Sequence, residues 1–138
     1  MKMNKFNYQG QGLERFFGPL EAKIMDVIWS RLEAVTIKEV NAKISEDKPM
    51  SFNTIMTVMN RLVDKGVLQK KLQGKSYVYS PVLTKEQFLE EQSKELSYDL
   101  VKEFGSRAVA HMIDAMEQVD PDLLDQLEKQ IKQWKKDR

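Results

Sequence analysis

Residues 51–81, SFNTIMTVMNRLVDKGVLQKKLQGKSYVYSP, constrain this chain more than any other stretch, because a helical period there gives way within a few residues to a strand period. Ile55, Val58, Met59 and Leu62 recur at helical spacing and define an inward stripe. Asn53, Thr54, Thr57, Asn60, Arg61 and Asp64 are left on the outward side. Ser51 or Asn53 can cap the start of this helix, and Gly66 can stop it just past the last turn, where a left-handed conformation is common. Residues 67–72 and 76–80 can then pair as two strands around Gln73, Gly74 and Lys75, with Tyr77 and Tyr79 on one face and Val78 on the other. Such a hairpin is marginal alone, so it has to pack on the helices before it.

Two helices are expected upstream. Pro19 suits the first position of a helix, and Leu20, Ile24, Val27 and Ile28 follow on one side with Met25 and Trp29 broadening it, to an end near Arg31 to Glu33. Thr36 with Glu39 three residues on is a capping box, which opens a short helix carrying Ile37, Val40 and Ile44 inward and fading by Pro49. Three helices and a hairpin in this order predict a winged helix-turn-helix over residues 19–81, mainly α with a small β-hairpin. Residues 1–18 read as a flexible polar tail anchored by Phe16 and Phe17, and the Gly10 and Gly12 region has no preceding strand that would make it a phosphate loop.

The outward face of the third helix has the chemistry of a groove reader. Thr bonds to base edges or phosphates, Asn bridges adenine and Arg reaches guanine or a phosphate. Ser51, Asn53, Thr54, Thr57 and Arg61 are therefore the expected DNA contacts from the helix and its cap, with Lys70, Lys71 and Lys75 expected from the hairpin. A solvated helix face would explain the first set alone. The lysines of the adjoining hairpin favour DNA, because phosphate positioning and base reading then occur side by side. A winged-helix protein-interaction module is the alternative, and a neutral or acidic hairpin would have been its mark. Charge is divided in the same sense: residues 1–80 hold 13 Lys and Arg against 8 Asp and Glu, and residues 81–138 hold 9 against 13. A basic half favours a polyanion and an acidic half is repelled from it.

Beyond Pro81, residues 82–138 read as a helical dimerisation region. Thr84 with Gln87 is a second capping box, Gly105 breaks the helix that follows, and Pro121 opens a last helix. There Leu124, Leu127, Ile131 and Trp134 recur at 3, 4, 3 spacing, the seam of helix–helix packing. About 58 residues make a thin core by themselves, so these apolar faces are expected to close against a second copy of the chain.

Several function classes are disfavoured. The chain of 138 residues has no cysteine, which removes disulfides, thiolate metal sites and thiol nucleophiles, and one histidine, His111, makes none of the usual zinc sites. No cofactor and no enzymatic activity are expected. No run of about 18 apolar residues is present to enter a bilayer, and the N-terminus lacks a signal-like apolar stretch, so a cytoplasmic location is expected.

In the order of these signals the chain resembles the BlaI/MecI penicillinase-repressor family of bacterial winged-helix regulators, which includes the CopY repressors. The resemblance rests on Leu20, Glu21, Ile28 and Trp29, on the run from Thr36 to Val40, on Asn53, Thr54, Ile55, Thr57, Arg61 and Leu62, and on Lys65, Gly66, Gly74, Lys75, Tyr79, Ser80 and Pro81. It implies a homodimer that binds a palindromic operator on double-stranded DNA and blocks transcription, with relief through a membrane-bound sensor metalloprotease. Two branch features are missing: the Cys-x-Cys pairs of the copper-type members, and the Asn-Phe cleavage pair, since Glu103 precedes Phe104.

Overall fold

A computed structural model describes residues 6, 7 and 10–138. The chain divides into two compact units, Met1–Gln92 and Ser93–Arg138.

The first unit is built from three helices and a hairpin. α1 (Pro19–Trp29) starts with Pro19 at its first position, and the Glu21 carboxylate accepts from the Gly18 backbone N–H at 3.1 Å, satisfying one of the orphan donors of the first turn. Ala22, Ile24, Met25 and Ile28 are its buried stripe, and it ends two residues before the expected stop. α2 (Ile37–Ser45) has the reciprocal capping box, with the Glu39 N–H bonded to Thr36 Oγ1 and the Thr36 N–H bonded to Glu39 Oε1, both at 3.1 Å. α3 (Phe52–Asp64) is capped by Ser51, whose Oγ accepts from the Thr54 N–H at 3.1 Å, and it buries Ile55, Val58, Met59 and Leu62. Gly66 follows its C-terminus with φ +82°, a conformation that strains any residue with a Cβ.

β1 (Leu68–Gln73) and β2 (Ser76–Pro81) pair antiparallel, Leu68 opposite Pro81 and Gln73 opposite Ser76. Only Gly74 and Lys75 lie between them, one residue fewer than the sequence suggests, and φ is positive at Gly74 alone, as a two-residue type II′ connection requires. Val35, immediately before the α2 cap, adds a one-residue third strand, exchanging backbone hydrogen bonds of 2.9 and 2.7 Å with Tyr79. That pairing was not anticipated from the sequence, and it ties the root of the hairpin to the start of α2.

The N-terminal segment departs from expectation. Within residues 1–18, read above as a flexible tail, residues 1–5, 8 and 9 lie outside the described part, but Gly12–Arg15 forms a 3-10 helix and Leu13 and Phe17 are buried in the main core. Phe17 stacks on Phe88 at 5.3 Å between ring centroids, while Phe16 and Trp29 also meet Phe88, at 5.7 and 5.4 Å. Phe88 is fully buried, lies in the first turn of α4 (Lys85–Phe104), and Trp29 Nε1 donates to the Leu83 carbonyl at 3.0 Å. The first unit therefore runs past Pro81, through the start of α4. Burial of a Phe side chain stabilises by roughly 1.5–3 kcal/mol, which makes Phe88 part of the domain core and not of a linker.

The second unit consists of the rest of α4, then α5 (Ser106–Val119) and α6 (Asp122–Lys136). Gly105, with φ +54°, separates α4 from α5, and Asp120 Oδ1 accepts from the Asp122 N–H at the start of α6. Ala108 is its one buried apolar residue. Ile113, Leu124, Leu127 and Ile131 line an open apolar groove between α5 and α6, rimmed by Glu128, Lys132 and Lys135. Leu124 and Leu127 are half-buried, whereas Ile131 and Trp134 are exposed. No helix among the described residues is long and apolar enough to cross a membrane.

Candidate nucleic-acid interface

α3 sorts its own side chains. The apolar stripe faces α1 and α2, so Asn53, Thr57 and Arg61, at i, i+4 and i+8, project together on the exposed side with no side-chain hydrogen bond or ion pair among the described residues. Ser51 and Thr54 are exposed beside them, but their hydroxyls are 2.7 Å apart and already bonded to each other. That bond uses one of the two hydroxyl hydrogens, and the other can be donated to an incoming phosphate or base.

The hairpin separates its lysines. Successive strand residues point to opposite faces, so Lys70 and Lys71 diverge. Lys70 shares a face with its cross-strand neighbour Tyr79 and turns toward α3, where its ammonium donates to Asn60 Oδ1 at 3.1 Å and lies 4.8 Å from the Tyr77 ring centroid. Lys71 shares a face with Val78, which, with Gln73 and Ser76, lines a cleft whose other wall carries Glu33, Thr36 and Glu39. Two carboxylates make that side the less favourable one for a polyanion. Lys75 is exposed at the tip of the hairpin.

Asn60 joins helix to hairpin. Its Oδ1 accepts from Tyr79 Oη as well as from Lys70 Nζ, both at 3.1 Å, and its Nδ2 donates to the Met56 carbonyl. Tyr79 itself is buried, and burial pushes its hydroxyl above the ordinary tyrosine range, so it remains a neutral donor. Lys65, at the end of α3, instead forms an ion pair with the buried Glu21 carboxylate at 3.0 Å, which pins the C-terminus of α3 to the first turn of α1. The junction that Asn60 forms with Lys70 and Tyr79 is not visible in the sequence. Its only trace there is the alternation of the two tyrosines, because the partners are 10 and 19 residues apart on different elements.

Among the described residues no group of acidic residues and histidine could hold a metal ion. What remains is a polar helix face flanked by a lysine-bearing hairpin, the arrangement the sequence signals of residues 19–81 anticipate. Residues 17–133 match the penicillinase repressor family. The chain belongs to that family. The match extends across both units. Among curated relatives, the transcriptional regulator BlaI of Mycobacterium tuberculosis is 34% identical over 65 residues, 47% of either chain. The penicillinase repressor of Bacillus licheniformis is 32% identical over 73 residues, covering 53% of this chain and 56% of that one. The chain thus spans about half the length of the curated relatives it matches. Of solved structures, the solution structure of the DNA binding domain of the repressor BlaI is 30% identical, with a TM-score of 0.46, over 50% of this chain and 83% of that one.

Proposed function

We propose that this protein is a cytoplasmic DNA-binding transcriptional repressor that acts as a homodimer on a palindromic operator. The observation that carries this reading is the exposed row of Asn53, Thr57 and Arg61 on α3 beside the Lys70 face of the hairpin, within a family of repressors. α3 enters the major groove, where these side chains, with Ser51 and Thr54 at the helix start, meet base edges and phosphates. Lys70 and Lys75 hold flanking phosphates, and Lys71 contributes less because its face turns toward Glu33 and Glu39.

Dimerisation supplies the affinity. One half-site contact by one small domain is weak, and joining two makes the second contact intramolecular, at a high effective concentration. The seam of Leu124, Leu127, Ile131 and Trp134, continued by Ile113 in the α5–α6 groove, is the surface proposed to meet the partner copy. Relief by a membrane-bound sensor metalloprotease would work by breaking this linkage, which returns each half-site contact to its own low affinity.

Selection of duplexes from a random-sequence pool by the full chain tests the proposal. The expected product is an inverted repeat with half-site centres about 10 bp apart or a multiple of that. A pool that shows no enrichment would favour the protein-interaction module instead.

A further inference from the structure

We propose that Asn60 is a positioning residue that holds Lys70 ready for one backbone phosphate in each half-site without neutralising it. The proposal rests on the DNA-binding reading above and assigns a role to a residue that itself need not touch DNA.

The surroundings of the Lys70 ammonium are decisive. Its two fixed neighbours, the amide oxygen of Asn60 at 3.1 Å and the face of Tyr77 at 4.8 Å, are both neutral, and no carboxylate pairs with it among the described residues. Lys65 is the contrast within the same unit, since its charge is matched by Glu21 at 3.0 Å. An amide oxygen directs a lysine as a carboxylate would but leaves the full positive charge for another anion. Lysine side chains also carry about 2 kcal/mol of rotamer entropy, and here part of it is already lost on folding rather than at DNA contact.

The amide is itself held in one orientation. Its oxygen takes donors from Lys70 and Tyr79, which uses both lone pairs, and its nitrogen is directed to the Met56 carbonyl at 3.1 Å. Tyr79 is anchored in turn by burial and by its backbone bonds to Val35. A chain of fixed groups therefore leads from the core to the ammonium. Of the three N–H donors of Lys70, one points at Asn60 and the others remain for solvent or a ligand, and the lysine is exposed. Asn60 follows Thr57 by one helical turn, so a phosphate bound by Lys70 lies at the border between the base-reading row and the hairpin. Lys71 and Lys75, exposed and without such a hold among the described residues, would contribute diffuse charge only.

The test uses full-length protein and the inverted repeat obtained by selection, in versions with single phosphates replaced by neutral methylphosphonates. For the unsubstituted protein, one position per half-site should weaken binding on the order of tenfold. Lys70→Met, which keeps the stem over Tyr77 and leaves the Asn60–Tyr79 bond intact, should erase sensitivity at that position alone and flatten the dependence of log affinity on log salt by about 0.9 per half-site. Asn60→Asp keeps an acceptor for both donors but neutralises the ammonium, so it should erase the same sensitivity, which a purely structural role for Asn60 would leave in place. Lys71→Met should retain it. Retention of every phosphate sensitivity in Lys70→Met, or in a folded Asn60→Asp, would overturn the proposal while leaving the DNA-binding reading intact. Absence of salt-dependent DNA binding by the unsubstituted protein would overturn both.

Discussion

The two units of this protein solve the burial problem in opposite ways. Up to Gln92, seventeen apolar side chains from Leu13 to Phe88 form one contiguous core, with α1, α2, α3 and the hairpin each contributing. From Ser93 onward Ala108 is the one buried apolar residue, while Tyr98, Val101, Phe104, Val109, Met112, Ile113, Ile131 and Trp134 remain exposed. The helices of the second unit are long and regular, so local structure is not what it lacks. Regular helices do not make a stable domain when their apolar faces have nothing to cover them. The first unit is a domain; the second, on the proposed reading, is half of an interface.

The largest effect is expected from a substitution in the first core beyond its expected limit. Phe88→Ala should destabilise the first unit by about 3–5 kcal/mol, as removal of a buried aromatic does, lowering its denaturation midpoint although the residue lies beyond Pro81. A loss comparable to that of a surface substitution would mean that α4 is only attached to the domain. On the other side, Leu127→Asp should weaken self-association by about 3 kcal/mol by placing an unpaired charge in the seam, and should leave the unfolding of the first unit unchanged. Light scattering across a dilution series would read the first effect and circular dichroism melting the second.

Smaller effects sharpen the picture of the first unit. Arg61→Ala should cost about 1–3 kcal/mol on the selected repeat and much less on random duplex; equal losses on both would make Arg61 a phosphate contact. Ser51→Ala should destabilise by about 1 kcal/mol, because the hydroxyl that caps α3 is lost whether or not DNA is present. The smallest effect is that of alkali. Tyr79 donates to Asn60 only while protonated, and its folded-state pKa is raised mainly by burial, so its contribution to stability is complete below the ordinary value of 10.0 and is lost as pH rises through the higher folded value. Tyr79→Phe should remove that alkaline component from a stability profile, and its persistence would assign it to another group.

Much of the first unit was legible because its signals are local. The Thr36 and Thr84 capping boxes, the cap at Ser51, the stop at Gly66 and the inward stripe of α3 each sit within four residues of the partner they need. What escaped the sequence depends on partners brought together by folding. Val35 becomes a strand only because Tyr79 is there to bond it, Phe17 joins the core only because Phe88 lies across from it, and Asn60 looks like another outward polar residue until Lys70 and Tyr79 converge on its amide. The domain boundary moves for the same physical cause: Pro81 does end β2, but the end of a strand is a local event and the limit of a core is not.

We infer that the second unit is completed by a second copy of the chain. Sedimentation equilibrium of the full-length protein at micromolar concentration tests it most directly, with Leu127→Asp run alongside. The unsubstituted protein should show a mass twice that of the chain, and the variant a shift toward a single chain. A monomer at that concentration, or a dimer unaffected by Leu127→Asp, would contradict it.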